Sequence, residues 1–179
     1  MQSERIKLVP PSMDLAQPML EAIRASQHEL SVYLPWVPHA LTEAESIKNM
    51  QEAIDKYERF DGELRLSILR NSDAKFLGAI GLIIRDKSVP FFEIGYWLNT
   101  KETGKGYITE AVSLIEDYAF NELKAQRLEI RAAETNRNSR AVAERCSYHL
   151  DATLVNDRRL PSGELSSTVI YSKLARQKI

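Results

Sequence analysis

The chain has 179 residues and a formal charge of −1, from 24 Lys and Arg against 25 Asp and Glu. So even a balance gives no general pull toward nucleic acid or an anionic membrane, and the single cysteine, Cys146, excludes an intrachain disulfide and any cysteine-based zinc site. The histidines His28, His39 and His149 lack a HExxH-like spacing, no apolar run approaches the ~18 residues of a spanning helix, and MQSERIKLV is too charged for a signal peptide. The expectation is one cytoplasmic domain over residues 1–179, without a metal, long enough to bury roughly 70% of the surface its unfolded chain would expose.

RIKLV alternates briefly before Pro10 and Pro11 and predicts a short strand. Over residues 12–27 the apolar positions Leu15, Met19, Leu20 and Ile23 recur at helical spacing, with Ser12 and Asp14 as cap candidates. SVYLPWVPH holds two prolines around Trp36 and predicts a structured loop. A second helix is expected over residues 42–60, with Thr42 and Glu45 at capping-box spacing and Ile47, Met50, Ile54 and Tyr57 on its apolar face. The period then changes. ELRLSILR, KFLGAIGLIIR and FFEIGYWL read as three strands joined by turns too short for a parallel crossover, hence antiparallel neighbours. After TGKG, the positions Ile108, Ala111, Val112, Ile115 and Ala119 mark a third helix; RLEIRAA is a strand, SRAVAERC a short helix, and LDATLV and SSTVIYSKL are final strands. The order β-α-α-β-β-β-α-β-α-β-β describes a mixed α/β sheet.

A strand, a TGKG turn and a helix bring backbone N–H groups together where an anion can bind. A nucleotide P-loop fails here, because Lys105 is followed by Gly106 and Asn99 stands where its first glycine belongs. A dinucleotide fingerprint fails at Thr109, its third glycine position, and belongs in a parallel unit rather than after an antiparallel meander. A coenzyme A loop fits the order of elements.

With LPWV at 34–37, EIGYWL at 93–98, TGKGYITEA at 103–111, NRNSRAVAER at 136–145 and VIYSKL at 169–174, the chain resembles the GNAT superfamily of acetyl-CoA-dependent N-acetyltransferases, most closely its RimJ/RimL-type ribosomal-protein N-terminal acetyltransferase branch. The resemblance implies the acyl-CoA N-acyltransferase fold and acetyl-CoA as co-substrate. It implies cofactor contacts from Tyr96, Trp97, Leu98, Thr103, Gly104, Lys105, Gly106, Tyr107, Ile108, Asn136 and Ser139, with homodimerisation a family-level expectation. The chain departs from the family loop R/Q-x-x-G-x-G/A at Thr103 and Ile108, and Ser147 replaces the glycine that usually follows the helix.

Amine attack on a thioester needs a neutral amine, donors for the developing oxyanion and a proton for the leaving thiolate. The oxyanion donor is expected near Leu98, with Gly95 suited to a bulge or a close backbone approach. Ser139 is the first candidate proton donor, and equally a helix cap; Tyr148 is the second, with a core role as its more ordinary reading. Glu93, among Phe91, Phe92, Ile94 and Tyr96, is a candidate base or a solvent-facing carboxylate. Tyr33 and Trp36 are expected at the acceptor cleft, with Trp36 alternatively sealing the core under its loop, and Arg158 and Arg159 of the last loop are further acceptor-side candidates or else solvated charges. The acceptor expected is a peptide or protein N-terminus, with a small amine (polyamine, aminoglycoside or amino acid) as the alternative enzyme reading and a non-catalytic acetyl-CoA-binding module as the third. No direct nucleic-acid or membrane partner is expected.

Overall fold

The computed structural model describes residues 1–175. Its elements in chain order are β1 (Ile6–Val9), α1 (Ala16–Ala25), α2 (Gln27–Leu30), α3 (Glu43–Arg59), β2 (Glu63–Arg70), β3 (Phe76–Asp86), β4 (Phe91–Leu98), α4 (Tyr107–Asn121), β5 (Arg127–Ala133), α5 (Arg137–Arg145), β6 (His149–Arg159) and β7 (Leu165–Leu174), with 3₁₀ turns at Met13–Leu15, Val37–His39 and Thr100–Glu102. They form one seven-stranded sheet in the order β1-β2-β3-β4-β5-β7-β6. The β2-β3-β4 meander is antiparallel, as its short turns require. The β4–β5 pair is parallel and is joined through α4.

Alternation along the strands sends successive side chains to opposite faces. Phe92 and Ile94 of β4 join Ile80, Leu82, Leu128 and Ile130 in the main core, where Ile108, Ala111, Val112, Ile115 and Ala119 of α4 cover them. Trp97 projects from the other face into a second core formed by Met19 and Ile23 of α1, Met50 of α3, Val37 and Phe76. The Ser46 hydroxyl donates to the Ala16 carbonyl at 2.7 Å and ties α3 to the start of α1.

The capping box of α3 forms as expected: Thr42 Oγ1 accepts from Glu45 N–H, and Glu45 Oε2 accepts from Thr42 N–H. The helix ends at Phe60 in a left-handed conformation, φ 49°. The first helix differs from expectation. Residues 12–27 divide into a 3₁₀ turn, α1 and the beginning of α2, and Ser12 makes no side-chain cap bond. Pro18 sits in the first turn of α1, where its missing N–H would have had no helical partner. The break at Ser26 has a distant cause: its fully buried hydroxyl accepts the Thr100 N–H at 2.9 Å, binding the α1–α2 junction to the end of β4.

Gly95 lies in no bulge. The register between β3 and β4 is continuous there and shifts between Ile84 and Asp86, while a Cβ at Gly95 would meet only Ile83 Cδ1 at 3.7 Å. The close approach is at Gly78, where a Cβ would stand 2.2 Å from the Trp97 carbonyl oxygen. Ser147, in the position of the family's glycine, adopts φ 60°. Among the described residues no helix is long and apolar enough to cross a membrane.

Candidate active site

β4 and β5 pair over three positions only, Phe91 with Arg127, Phe92 with Leu128 and Glu93 with Glu129. Beyond Glu93 they part, while β4 stays paired with β3 as far as Leu98. The Asn99 N–H bonds to the Leu77 carbonyl of β3 at 2.7 Å. Backbone groups alternate sides along an antiparallel ladder, so Trp97 and Gly95 also face β3, and the N–H and C=O groups of Leu98 and Tyr96, beyond the last β4–β5 pair, point into the gap. A cleft of about 940 Å³ opens here, lined by Tyr96, Trp97 and Leu98, by Thr103 through Thr109, by Asn136, Asn138, Ser139, Ala141, Val142 and Arg145, and by Glu29, Leu30, Tyr33, Leu34 and Thr100. It brings together all eleven residues expected to hold the cofactor.

The turn at the mouth of the cleft has Gly104 at φ 76° and Gly106 at φ 82°, a left-handed conformation that strains any residue with a Cβ. Gly106 is the N-cap of α4 and offers no side-chain cap, so the first N–H groups of that 15-residue helix are left for a ligand at its positive end. Arg5 braces the turn from outside: Nη1 donates to the Lys105 carbonyl at 2.9 Å, Nε donates to Glu110 Oε2 at 2.8 Å, and the guanidinium lies 5.1 Å from the centre of the Tyr107 ring. The Lys105 ammonium is held by Glu102 at 2.8 Å, and Lys75 reaches the same carboxylate at 2.7 Å. These two ammonium donors, Lys105 first, bring the Glu102 pKa down to about 2. Lys105 and Arg145 are the cations of the cleft lining and Glu29 its one carboxylate.

Asn136 Oδ1 accepts the Ser139 N–H at 3.2 Å and caps α5. The cap is therefore Asn136, and the Ser139 side chain has no such duty. The Tyr96 hydroxyl donates to the Ser139 carbonyl at 3.2 Å, and burial raises its pKa well above the usual phenol value. Tyr148 lies outside the cleft lining, packed in the main core at 5% exposure, its hydroxyl enclosed without a hydrogen-bond partner among the described residues and its pKa raised mainly by burial.

Glu93 also lies outside the cleft lining. Its carboxylate accepts from Arg85 Nε at 2.9 Å and from Arg85 Nη2, and Arg131 Nε stands 3.7 Å away. Arg131 and Arg127 flank Glu129, and Arg127 also holds Asp151. This charged row crosses the sheet on the face opposite α4. Tyr33 lines the cleft, and its hydroxyl donates to the Thr135 carbonyl just after β5 at 3.0 Å, spanning the gap. Trp36 instead packs against Trp97, ring centres 5.9 Å apart, in the second core. Arg158 and Arg159 stand in β6 opposite Ser166 and Leu165, away from the cleft. Arg145 was readable: Asn138, Ala141, Val142 and Arg145 follow the i, i+3, i+4, i+7 pattern of one helix face. Glu29 and Glu102 carried no such signal.

The acetyltransferase (GNAT) domain family matches residues 5–149. YjcK of Bacillus subtilis (strain 168), named a probable N-acetyltransferase, is 39% identical over 105 residues, 58% of this chain and 55% of that protein. YdaF of the same organism, provisionally named a ribosomal N-acetyltransferase, is 38% identical over 105 residues, 59% of this chain and 57% of that protein. Both matches span little more than half the relative's length. Among solved structures, the microcin C7 self-immunity acetyltransferase MccE in complex with acetyl-CoA and AMP is similar with a TM-score of 0.88 and 25% identity, over 96% of this chain and 93% of that one. The family match runs from just before β1 to the first residue of β6 and takes in the gap, the glycine turn and α5; the chain belongs to the acetyltransferase (GNAT) family.

Proposed function

We propose that the chain transfers the acetyl group of acetyl-CoA to an amine, and that its acceptor is the α-amine of a protein or peptide N-terminus. The carrying observation is the gap beyond Glu93, into which β4 turns the backbone groups of Tyr96 and Leu98 beside the glycine turn. The residues present suit acetyl-CoA. Unpartnered N–H groups at the start of α4, with Lys105 and Arg145 nearby, suit the pyrophosphate, and the free edge of β4 suits the amide-bearing pantetheine arm. Bound there, acetyl-CoA supplies a thioester open to amine attack.

The Leu98 N–H is directed to stabilise the oxygen that becomes negative during the attack. The Ser139 hydroxyl, released from capping, is the leading proton donor to the departing sulfur, and the Tyr96 hydroxyl beside it retains its proton at working pH. Glu93 is not placed to act as a base, because it lies outside the cleft lining with its carboxylate engaged by Arg85. A site without a free carboxylate base favours an amine that is already partly neutral. About a tenth of an α-amine is neutral at pH 7, against about one in a few thousand for an ordinary lysine. A polycationic acceptor would be served by several carboxylates, and the cleft lining has one. The provisional name of YdaF supports a ribosomal protein as the source of the N-terminus.

The test is thiol release from acetyl-CoA with four acceptors: peptides with free N-termini, the same peptides blocked at the α-amine but carrying lysine, spermidine and an aminoglycoside. Turnover is expected with the free N-termini. Faster turnover of spermidine or the aminoglycoside, or equal turnover of blocked peptides, would overturn the acceptor assignment; no turnover of any would leave a binding module.

A further inference from the structure

We propose that Glu102 is a positioning residue for the cofactor turn, holding it in its anion-receiving shape before any ligand arrives. The inference rests on the placement of the CoA pyrophosphate at this turn. Glu102 ends the 3₁₀ turn that follows β4, and its carboxylate is 4% exposed. Oε1 accepts from Lys75 at 2.7 Å and Oε2 from Lys105 at 2.8 Å, with Arg70 Nη1 at 3.5 Å. Lys75 and Arg70 belong to the β2–β3 hairpin, so one buried carboxylate joins that rigid hairpin to the middle of the glycine turn.

The join matters because both residues flanking Lys105 are glycines, which have the widest choice of backbone conformation. Lys105 is gripped at two points: Glu102 takes its ammonium and Arg5 its carbonyl. In a trans peptide the carbonyl and the following N–H point in opposite directions. With the Lys105 carbonyl fixed toward Arg5, the Gly106 N–H is directed away from Arg5, which lies outside the cleft, and Gly106 is part of the cleft wall. Without Glu102, Lys105 and the two glycines would have to be ordered by the ligand, at a cost in affinity. The carboxylate also stops Lys75, Lys105 and Arg70 from repelling one another.

Electrostatics alone makes the opposite forecast. A negative charge next to a pyrophosphate site should weaken binding, and its removal should tighten it. The experiment is calorimetric titration of free CoA into wild-type protein, Glu102→Gln and Glu102→Asp, with steady-state kinetics on each and melting curves as the check of folding. Glu102→Gln is expected to bind CoA about tenfold more weakly, the scale of one lost charge-assisted hydrogen bond. KM for acetyl-CoA should rise in step while kcat changes less than about twofold, a split that general destabilisation would not produce. Glu102→Asp keeps the charge but is too short to reach both ammonium groups, and an intermediate loss of about threefold is expected; it serves as the test if the glutamine variant does not fold. Unchanged or tighter CoA binding in either folded variant would overturn the proposal. Failure of the wild type to bind CoA would instead overturn the cofactor placement beneath it.

Discussion

The Glu93 carboxylate is surrounded by cations, and this decides its chemistry more than its aromatic neighbours in sequence do. Held by Arg85, approached by Arg131 and outside the cleft lining, the carboxylate is turned to the charged row rather than to an amine in the cleft. Glu93→Gln should therefore change the rate by a factor that stays constant from pH 6 to 9, measured as initial rates at saturating peptide; a loss that raising the pH rescued would restore Glu93 as the base. Glu102 makes a different prediction, about stability. Its folded pKa of about 2 lies below the ordinary 4.5, so the unfolded chain binds the proton more tightly. The stabilisation is complete above about pH 4.5 and is lost as the pH falls toward 2. In urea titrations the advantage of wild type over Glu102→Gln should be constant above pH 5 and shrink steadily below it; an advantage independent of pH would contradict this ion-pair account.

For the elements, β4 is the determining strand, because its two edges have different fates. On the β3 side it must approach closely enough that Gly78 has no room for a Cβ, with the Trp97 oxygen at 2.2 Å and Leu98 Cα at 2.9 Å, both backbone atoms that cannot swing away. Gly78→Ala should cost about 1–3 kcal/mol, as overpacking does, and should also weaken CoA binding because the displaced residues are those that border the gap. Chemical denaturation and calorimetry would check both; a neutral substitution would show that β3 and β4 have room to spare. On the β5 side the strand is released after Glu93, and Ser26, through the Thr100 N–H, fixes where it ends. Arg85, Arg131 and Glu93 lie where the two strands last touch, so the charged row marks the start of the gap.

Over the whole molecule, what was legible in the sequence is what each segment determines by itself. ELRLSILR, FFEIGYWL and RLEIRAA fall on β2, β4 and β5 residue for residue, and Thr42 with Glu45 begins α3, because alternation and capping are local. The glycine turn was legible for the same reason. The division of the first helix was not, since Ser26 answers to Thr100, and the length of β6 was not, since this edge strand is exposed along most of its length and shows little alternation. Between the cleft and the core the local sequence left Trp36 open, and it did not reveal Glu102 as the anchor of the turn, as each depends on a partner distant in the chain, Trp97 and Lys75. The gap itself is a property of two strands that part, visible in neither alone. It is also the central claim, and amide hydrogen exchange addresses it directly. In the free protein the Tyr96 and Leu98 amides should exchange rapidly while those of Gly95 and Trp97, bonded to β3, are protected; saturating CoA should slow Tyr96 and Leu98 by at least about tenfold. Protection of all four amides in the free protein, or no slowing at Tyr96 and Leu98 when CoA is bound, would contradict it.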